Sequence, residues 1–304
     1  MNIKDLDKEE YILPGNSSCP GCPASLGLRL LTKAVGANAI LVIPASCMTV
    51  IQGAYPNTSI KLPTLNIAFA ASAAAATGLS AAFEIKGKSH SIVVYAGDGG
   101  TADIGLQALS GAAERNENIT YVCYDNEAYQ NTGIQRSSAT PYGAWTTTTV
   151  KGKLEQKKDV PKIVASHNVP YVATASIAYP IDFIEKVRRA LKIRGFKYIH
   201  LHAPCPTGWR FPSEKTVEVA RLAVLTGAWI LYEIEKGVLQ LTGPSKNLLE
   251  RSARKPVQEY LKLQGRFQHL NEEMINKINE DVEEKWNEIK LTIKFKEDIS
   301  KVLK

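Results

Sequence analysis

The chain has 304 residues, of which 44% are hydrophobic and 22% are charged, so it has enough apolar side chains for the core of one large globular domain or two small ones. It contains no run of about 18 uncharged apolar residues and no apolar segment near its first residues, so we expect no membrane span, no secretion signal and a cytoplasmic protein. The formal net charge is +7, but basic and acidic residues are interleaved, which is typical of a solvated surface and does not favour a nucleic-acid partner.

Short apolar segments alternate with helical patterns along most of the chain. Segments rich in β-branched or aromatic residues predict buried strands at residues 40–43, 92–95, 119–124, 171–173 and 198–201. Between them, helices are predicted at residues 66–83, 104–115 and 180–193. This alternation predicts an α/β fold with a mostly parallel sheet and helices on both faces. Ligands of such folds bind beyond the carboxyl ends of the strands.

Two polar loops follow neighbouring predicted strands. Residues 97–105 read Gly-Asp-Gly-Gly-Thr-Ala-Asp-Ile-Gly, and residues 125–133 read Asp-Asn-Glu-Ala-Tyr-Gln-Asn-Thr-Gly. Glycines let backbone N–H groups approach phosphate oxygens, and Asp98 supplies an oxygen ligand of the kind that Mg²⁺ or Ca²⁺ prefers. Because the loops belong to one strand-helix-strand unit, they emerge at the same edge of the sheet. We therefore predict a metal–diphosphate site, the alternative being two tight turns without a ligand.

The chain has five cysteines, an odd count that does not favour a disulfide framework in a protein for which we expect no secretion signal. Cys19 and Cys22 form a C-x-x-C pair before a helical pattern, while Cys47 and Cys205 each follow a predicted strand. Four thiolates can hold a zinc ion or an iron–sulfur cluster, and the C-x-x-C pair alone can be a redox pair. The spacing leaves these alternatives open. Cys123 lies within an apolar strand and is predicted to be a buried core thiol.

The C-terminal part of the chain differs in character. Residues 245–304 are rich in both charges, and apolar residues recur at spacings of three or four, which predicts one apolar stripe on a long helix: Met274, Ile278, Val282, Trp286, Ile289 and Ile293. We expect residues 1–244 to form the domain that carries the predicted site and residues 245–304 to form a helical extension. The stripe would pack either on this domain or on another subunit.

Together, the two polar loops resemble the thiamine-diphosphate motif, which opens with Gly-Asp-Gly and closes with an Asn loop. Their sequences are similar to those of the 2-oxoacid:ferredoxin oxidoreductases: Gly-Asp-Gly-Gly-x-x-Asp-Ile-Gly in the first loop and Asp-Asn-Glu-x-Tyr-x-Asn-Thr-Gly in the second. Within that family they are closest to the β subunits of pyruvate:ferredoxin oxidoreductase. The resemblance covers residues 17–212.

The resemblance implies a set of site residues. The Asp98 and Asn126 side chains and the Ala128 carbonyl would bind Mg²⁺, and Asn131 would also face the 2-oxoacid as the catalytic residue. The residues that would contact thiamine diphosphate are Cys47, Gly97, Asp98, Gly99, Gly100, Asn126, Glu127, Ala128, Tyr129, Gln130 and Asn131.

The same resemblance selects among the alternatives for the cysteines. It implies that Cys19, Cys22, Cys47 and Cys205 hold a [4Fe-4S] cluster. Some family members carry an acidic residue two positions after the second cysteine, where it touches the cofactor, whereas this chain has Ala24 and lacks that contact. Trp209, shortly after the last cysteine, would either cover the cluster or pack in the core.

By resemblance, the activity would be the coenzyme-A-dependent oxidative decarboxylation of pyruvate to acetyl-CoA and CO₂, with electrons passing one at a time through the cluster to ferredoxin. The runs at residues 140–149 and 202–209 resemble the pyruvate branch. No second large α/β domain is visible, so an α subunit would supply the glutamate that activates the thiamine ring. A γ subunit and a ferredoxin-like δ subunit would complete the enzyme, and we expect the chain to be inactive alone.

Three other functions stay open from the sequence. The enzyme could use a broader range of 2-oxoacids, because part of the specificity pocket would lie in the missing subunit. A non-redox thiamine-dependent decarboxylase or carboligase would share Asp98 and Asn126 but has no use for four matched cysteines. A zinc-stapled scaffold module would use the cysteines without any thiamine cofactor.

Overall fold

The computed structural model describes residues 8–302, with side chains up to residue 295. Its centre is an eight-stranded sheet in the order β2-β1-β3-β4-β6-β5-β7-β8. The strands are β1 (Ala39–Pro44), β2 (Thr64–Ile67), β3 (Ser91–Gly97), β4 (Thr120–Asp125), β5 (Tyr171–Ser176), β6 (Lys197–His202), β7 (Tyr232–Glu235) and β8 (Val238–Leu241). Strands β1 to β6 pair in parallel, and β7 and β8 add an antiparallel edge. The predicted mostly parallel sheet is confirmed.

Ten α-helices surround the sheet in the described part of the chain. They are α1 (Pro23–Val35), α2 (Cys47–Gln52), α3 (Ser72–Ile85), α4 (Leu106–Glu114), α5 (Val160–Ala165), α6 (Pro180–Lys192), α7 (Pro206–Trp209), α8 (Thr216–Leu225), α9 (Val257–Leu261) and α10 (Glu272–Val302). Within residues 8–302, no helix is both long enough and apolar enough to span a membrane.

The helices cover both faces of the sheet, as predicted. On one face, α1, α2 and α6 contribute Leu31, Met48 and Phe183 to a core that includes Val93 of β3. On the other face, α3, α4 and α5 contribute mostly alanine and valine side chains, together with Leu109, that pack against strands β1, β3 and β4. Strands β4, β5 and β6 are buried at every position, because helices cover them on both sides.

Two element boundaries differ from the prediction. The helix predicted at residues 66–83 begins at Ser72, because residues 64–67 form the short strand β2 instead. The helix predicted at residues 104–115 is α4, and it is preceded by a π-helical turn, Gly99–Asp103. Strands β7 and β8 were not predicted, since polar residues interrupt their short apolar segments.

The C-terminal segment packs on its own chain. Val282, Trp286 and Ile289 of α10 join a third core with Trp209 and Trp229, and Trp286 is fully buried. Its indole N–H donates to the Gly227 carbonyl at 3.1 Å. Of the two predicted roles for the apolar stripe, the structure therefore shows packing on the same chain. The outer ends of the two predicted domains, residues 1–7 and 303–304, lie outside the described residues, and the division at residue 245 stays a prediction.

Candidate functional site

The order of the strands gathers the predicted site residues at one edge of the sheet. The adjacent strands β1, β3, β4 and β6 lie in that order, and their carboxyl ends lead into Cys47, Asp98, Asn126 and Cys205 respectively. Gly97 at the end of β3 is in register with Tyr124 of β4, so the two polar loops lie side by side. The prediction that both loops emerge at one edge is confirmed.

Three oxygen-bearing groups converge between these loops. The Asn126 amide has two possible orientations. In one, its nitrogen donates to Asp98 Oδ1 at 2.8 Å and to the Ala128 carbonyl at 2.9 Å. In the other, the amide oxygen faces the same two acceptors, which is unfavourable unless a cation lies between the three oxygens. Asp98 is buried, and its Oδ2 accepts a hydrogen bond from Ser137 Oγ at 2.5 Å.

This arrangement has the dimensions of a magnesium site. Mg²⁺ binds oxygens at about 2.0–2.1 Å in octahedral geometry, which places neighbouring ligands about 2.9 Å apart. Burial, together with the nearby Asp125 carboxylate, raises the pKa of Asp98 well above its usual range. A bound dication would reverse that effect, because it favours the ionised carboxylate. Asp98, Asn126 and Ala128 therefore fit a hard divalent cation.

The glycines of the first loop have a packing role as well. A Cβ atom on Gly99 would lie 2.3 Å from the Tyr129 ring, and one on Gly100 would lie 3.0 Å from Phe69. Tyr129 itself donates to Asp103 Oδ2 at 2.7 Å, which fastens the second loop to the first. The absence of side chains thus brings the two loops together, in addition to leaving backbone N–H groups close to any bound phosphate.

Glu127 lies in the second loop, but its side chain turns into the protein. Its backbone is left-handed (φ 60°), and its carboxylate accepts from Lys157 Nζ at 2.6 Å and from Arg266 at 2.6 Å. Burial alone would raise the pKa of Glu127, but Lys157 and Arg266 hold it below its usual value. The Glu127 side chain is therefore turned away from the place predicted for the diphosphate. Of this residue, only the backbone could make the predicted contact with thiamine diphosphate.

The ion pairs around Glu127 belong to a larger buried network. Lys157 also contacts Asp125 Oδ2 at 2.6 Å, the same oxygen approached by His200 Nε2 at 2.8 Å. His200 Nδ1 in turn lies 2.5 Å from the Tyr198 hydroxyl. The sequence did not identify Lys157, His200 or Arg266 as site residues, because nothing in their neighbouring residues distinguishes them from surface charges or core aromatics.

Two further residues of the second loop, Gln130 and Asn131, differ in what their side chains contact. Gln130 Nε2 donates to the Asn126 carbonyl at 2.9 Å, so this side chain braces the loop. Asn131 is exposed in the following turn, where it is accessible to a substrate. Thr140, the first residue of the run that resembles the pyruvate branch, is buried and donates to the Glu127 carbonyl at 2.6 Å.

The four predicted cluster ligands lie close enough to influence one another. Burial, together with repulsion from the thiols of Cys205, Cys22 and Cys19 and from the Asp98 carboxylate, raises the pKa of Cys47 to about 12. Burial likewise raises the pKa of Cys205 to about 11, while backbone N–H groups at the start of α7 oppose the shift. The cysteines therefore lie near the polar loops, with Cys47 close enough to Cys205, Cys22, Cys19 and Asp98 for their charges to interact.

The positions of the cysteines suit thiolate ligands. Cys22 caps α1 and accepts the Ser25 N–H at 3.4 Å, Cys47 is the first residue of α2, and Cys205 directly precedes α7. Backbone N–H groups at helix starts stabilise thiolates. Among the described residues, no group of three or more His, Cys, Asp or Glu side chains is placed to hold a single metal ion. Cys123 is fully buried in β4, as predicted.

The structure also places Ala24 and Trp209, two residues near the cysteines that the sequence singled out. Ala24 is buried in α1, and its carbonyl accepts from the Tyr95 hydroxyl at 2.8 Å, so it belongs to the core. Trp209 is also buried, and its indole N–H donates to the Asn126 carbonyl at 2.8 Å. Arg266 lies over the Trp209 ring at 3.5 Å. Trp209 therefore joins the cysteine region to the second polar loop.

Comparison with known proteins agrees with this geometry. Residues 45–201 match the family model "Thiamine pyrophosphate enzyme, C-terminal TPP binding domain". The chain is 52% identical over 292 residues to pyruvate synthase subunit PorB of Methanothermobacter marburgensis, covering 94% of this chain and 99% of that protein. It belongs to the β-subunit family of 2-oxoacid:ferredoxin oxidoreductases.

Other relatives and one solved structure are consistent with that assignment. Ketoisovalerate oxidoreductase subunit VorB of Pyrococcus furiosus is 50% identical over 293 residues, covering 93% of each chain. A solved 2-oxoglutarate:ferredoxin oxidoreductase from Magnetococcus marinus matches with a TM-score of 0.58 at 22% identity, covering 71% of this chain and 82% of that chain, and shows the same fold. The chain thus carries a thiamine-diphosphate-binding domain and is a subunit of a multisubunit oxidoreductase.

Proposed function

We propose that this chain is the β subunit of a pyruvate:ferredoxin oxidoreductase, which converts pyruvate and coenzyme A to acetyl-CoA and CO₂ and passes electrons singly to ferredoxin. The observation that carries the proposal is that the Asp98–Asn126–Ala128 oxygens and the four cysteines form one region at one edge of the sheet. A thiamine enzyme without redox chemistry has no use for those thiols beside its cofactor.

The diphosphate end of the cofactor would be held by this chain. Asp98, the Asn126 side chain and the Ala128 carbonyl would bind Mg²⁺, and the backbones of residues 97–100 and 126–131 would contact the diphosphate. When bound, thiamine diphosphate supplies a carbanion nucleophile and an electron sink. The exposed Asn131 would hydrogen-bond the 2-oxoacid.

The four cysteines would hold a [4Fe-4S] cluster. Cys22, Cys47 and Cys205 are each at the start of a helix, where N–H groups favour the thiolate form. Without the cluster, these cysteines would be neighbouring thiols. Burial and their mutual repulsion raise the pKa values of Cys47 and Cys205. None of the five cysteines, all of which lie among the described residues, forms a disulfide, which suits a reducing compartment such as the cytoplasm.

Catalysis would need partner subunits. The glutamate in the cofactor loop, Glu127, is engaged with Lys157 and Arg266, so it is not available to activate the thiamine ring. We infer that an α subunit supplies that glutamate, and that a ferredoxin-like δ subunit and a γ subunit complete the enzyme. External ferredoxin would accept the electrons.

Relatives with pyruvate and ketoisovalerate in their names are 52% and 50% identical to this chain, so the activity test compares these two substrates. The deciding experiment is anaerobic co-purification with the neighbouring subunits, followed by assays of coenzyme-A-dependent ferredoxin reduction. Activity should be highest with pyruvate. A preference for 3-methyl-2-oxobutanoate would instead identify a ketoisovalerate oxidoreductase.

Two variants test the two halves of the site separately. Asp98→Ala should abolish retention of thiamine diphosphate while leaving iron in place, and Cys205→Ala should do the reverse. Cys123→Ala, which removes a buried thiol outside the ligand set, is the matched control and should retain both. Colourless protein without iron would favour a non-redox thiamine enzyme, and one bound zinc without thiamine would favour a scaffold module.

A further inference from the structure

One side chain of the C-terminal segment reaches the second polar loop. Arg266 lies in the short turn Gly265–Phe267, 139 residues from Glu127 along the chain, and is only 2% exposed. Arginine is seldom buried to this extent unless its charge is paired. Its Nη2 donates to Glu127 Oε2 at 2.6 Å, and its Nε donates to Gln264 Oε1 at 2.9 Å. These two hydrogen bonds hold the guanidinium group in one orientation.

Arg266 also contacts two other segments that border the second polar loop. Its guanidinium carbon lies 3.5 Å from the centre of the Trp209 ring, and Trp209 in turn donates to the Asn126 carbonyl at 2.8 Å. The Arg266 carbonyl accepts the Trp145 N–H at 2.9 Å, in the run at residues 140–149. The C-terminal segment is therefore joined to the cofactor loop, to helix α7 and to this run through one residue.

The partner of Arg266, Glu127, lies between two of the three proposed metal ligands, Asn126 and Ala128. Its backbone is left-handed (φ 60°), a conformation that residues other than glycine, asparagine and aspartate rarely adopt. The Asn126 side chain lies on one side of this residue and the Ala128 carbonyl on the other. The backbone angles of Glu127 therefore help to set where these two ligands lie relative to each other.

Both the backbone and the side chain of Glu127 are held by hydrogen bonds. Its N–H donates to Asp125 Oδ1 at 3.0 Å, and its carbonyl accepts from Thr140 Oγ1 at 2.6 Å. Its carboxylate is shared by two cations that differ in their other partners. Lys157 also pairs with Asp125, whereas Arg266 pairs with Glu127 alone among the residues that the structure describes. Arg266 is therefore the cation dedicated to Glu127.

We propose that Arg266 is a positioning residue for the metal site: by holding the Glu127 carboxylate, it fixes the loop conformation in which Asn126 and Ala128 bind Mg²⁺. The inference rests on the magnesium site proposed above and deepens it, because it gives the C-terminal segment a part in cofactor binding. Arg266 itself touches neither the metal oxygens nor the backbone of residues 97–100. It acts only through Glu127 and Trp209.

The test is Arg266→Met in the co-purified complex, titrated calorimetrically with Mg²⁺ or with Ca²⁺ in excess thiamine diphosphate. Mg²⁺ affinity should fall about 10–100-fold, as is usual when a residue that orients a metal ligand is lost. Ca²⁺ affinity should fall by about threefold or less, because Ca²⁺ accepts oxygens at about 2.3–2.6 Å in flexible arrangements, whereas Mg²⁺ demands a near-ideal octahedron. Iron content should not change. A general loss of stability would not alter the preference between the two metals.

Arg254→Met is the matched control. Arg254 is another buried arginine of the C-terminal segment, and it pairs with Glu283 and lies 4.8 Å from the centre of the Trp286 ring. Its remaining hydrogen bonds go to two carbonyl groups of its own segment, outside both polar loops. Thermal unfolding should show a similar loss of stability in both variants, but only Arg266→Met should change the metal preference. The same change in both variants, or none in Arg266→Met, would overturn the proposal.

A double variant tests the route through Glu127. Arg266→Met leaves Glu127 with Lys157 as its one cation, whereas Glu127→Gln together with Arg266→Met restores the balance of buried charge and so protects the fold. The double variant should lose Mg²⁺ affinity to the same extent as Arg266→Met alone. Wild-type affinity in the double variant, or a loss equal to the sum of the single losses, would refute positioning through Glu127. A wild-type complex that binds neither metal would instead refute the proposed magnesium site.

Discussion

At the scale of single residues, the site depends on side chains that hold the cofactor loop from behind. The Asn126 carbonyl accepts two hydrogen bonds, from Trp209 Nε1 at 2.8 Å and from Gln130 Nε2 at 2.9 Å. Both keep the Asn126 peptide fixed while its side chain faces Asp98 and Ala128. Trp209 is therefore a positioning residue for the proposed metal site, although it follows a cysteine of the other half of the site.

Trp209→Phe should weaken binding of Mg²⁺ and thiamine diphosphate about fivefold, because it removes one buried hydrogen bond of about 1 kcal/mol together with the pyrrole ring, while a six-membered aromatic ring stays beneath Arg266. Iron content should not change. Calorimetric titration of the cofactor, alongside iron analysis, measures both. Trp286→Phe makes the same chemical change at an N–H that donates to the Gly227 carbonyl and not to either loop. If it weakened cofactor binding equally, the effect would be a general loss of stability.

At the scale of elements, helix α10 shows how an ambiguous pattern is resolved. Its stripe of apolar residues fits either an intramolecular or an intersubunit contact, and only the position of the helix distinguishes them. In the structure, Val282, Trp286 and Ile289 are buried in a core shared with Trp229. The helix therefore stabilises the domain that carries the site.

Trp286→Ala should lower the free energy of unfolding by about 3–5 kcal/mol, as expected for truncating a fully buried Trp. Leu291→Ala on the same helix is the control: its side chain is 68% exposed, and the change should stay within about 0.5 kcal/mol. Urea unfolding of both variants measures the difference. A cost below about 1 kcal/mol for Trp286→Ala would mean that the helix belongs to a contact with another subunit.

At the scale of the whole molecule, stability has a pH dependence that the structure assigns to Lys197. This residue starts β6, at the end of the sheet opposite the site, and burial lowers its pKa from 10.5 to about 8. Its ammonium group donates to Asn118 Oδ1 at 3.0 Å. Between about pH 8 and 10.5 the unfolded chain binds more protons at this residue, so its contribution to stability rises with pH.

Lys197→Met should therefore stabilise the protein at pH 7, where both states of the wild-type residue are charged and the cost of burial is fully present. The gain should be at most about 3 kcal/mol, less the lost hydrogen bond to Asn118. It should shrink above pH 8 and vanish near pH 10.5. Denaturant unfolding of wild type and variant from pH 7 to 10 measures this, with the exposed Lys86→Met as a matched control. A gain that is constant across this range would contradict the assignment to Lys197.

Much of the fold was predictable because its signals are local. The strands ending near Gly97 and Asp125 are apolar runs followed by glycine or polar residues, and such runs need no knowledge of distant contacts. Strands β2, β7 and β8 mix polar with apolar residues over four positions, so they lack the apolar run that marks the predicted strands, and they were missed. The helix predicted from residue 66 likewise extended into β2.

The sequence by itself determined the fold class, the two polar loops and the cysteine set, because glycine, carboxylate, amide and thiol chemistry is carried by the residues themselves. The tertiary structure alone decided what holds those loops in place. Glu127 meets Lys157 and Arg266 across 30 and 139 residues of chain, and Trp209 reaches Asn126 across 83. Contacts at such separations leave no pattern in neighbouring residues, since they arise only when the sheet and its helices bring distant segments together.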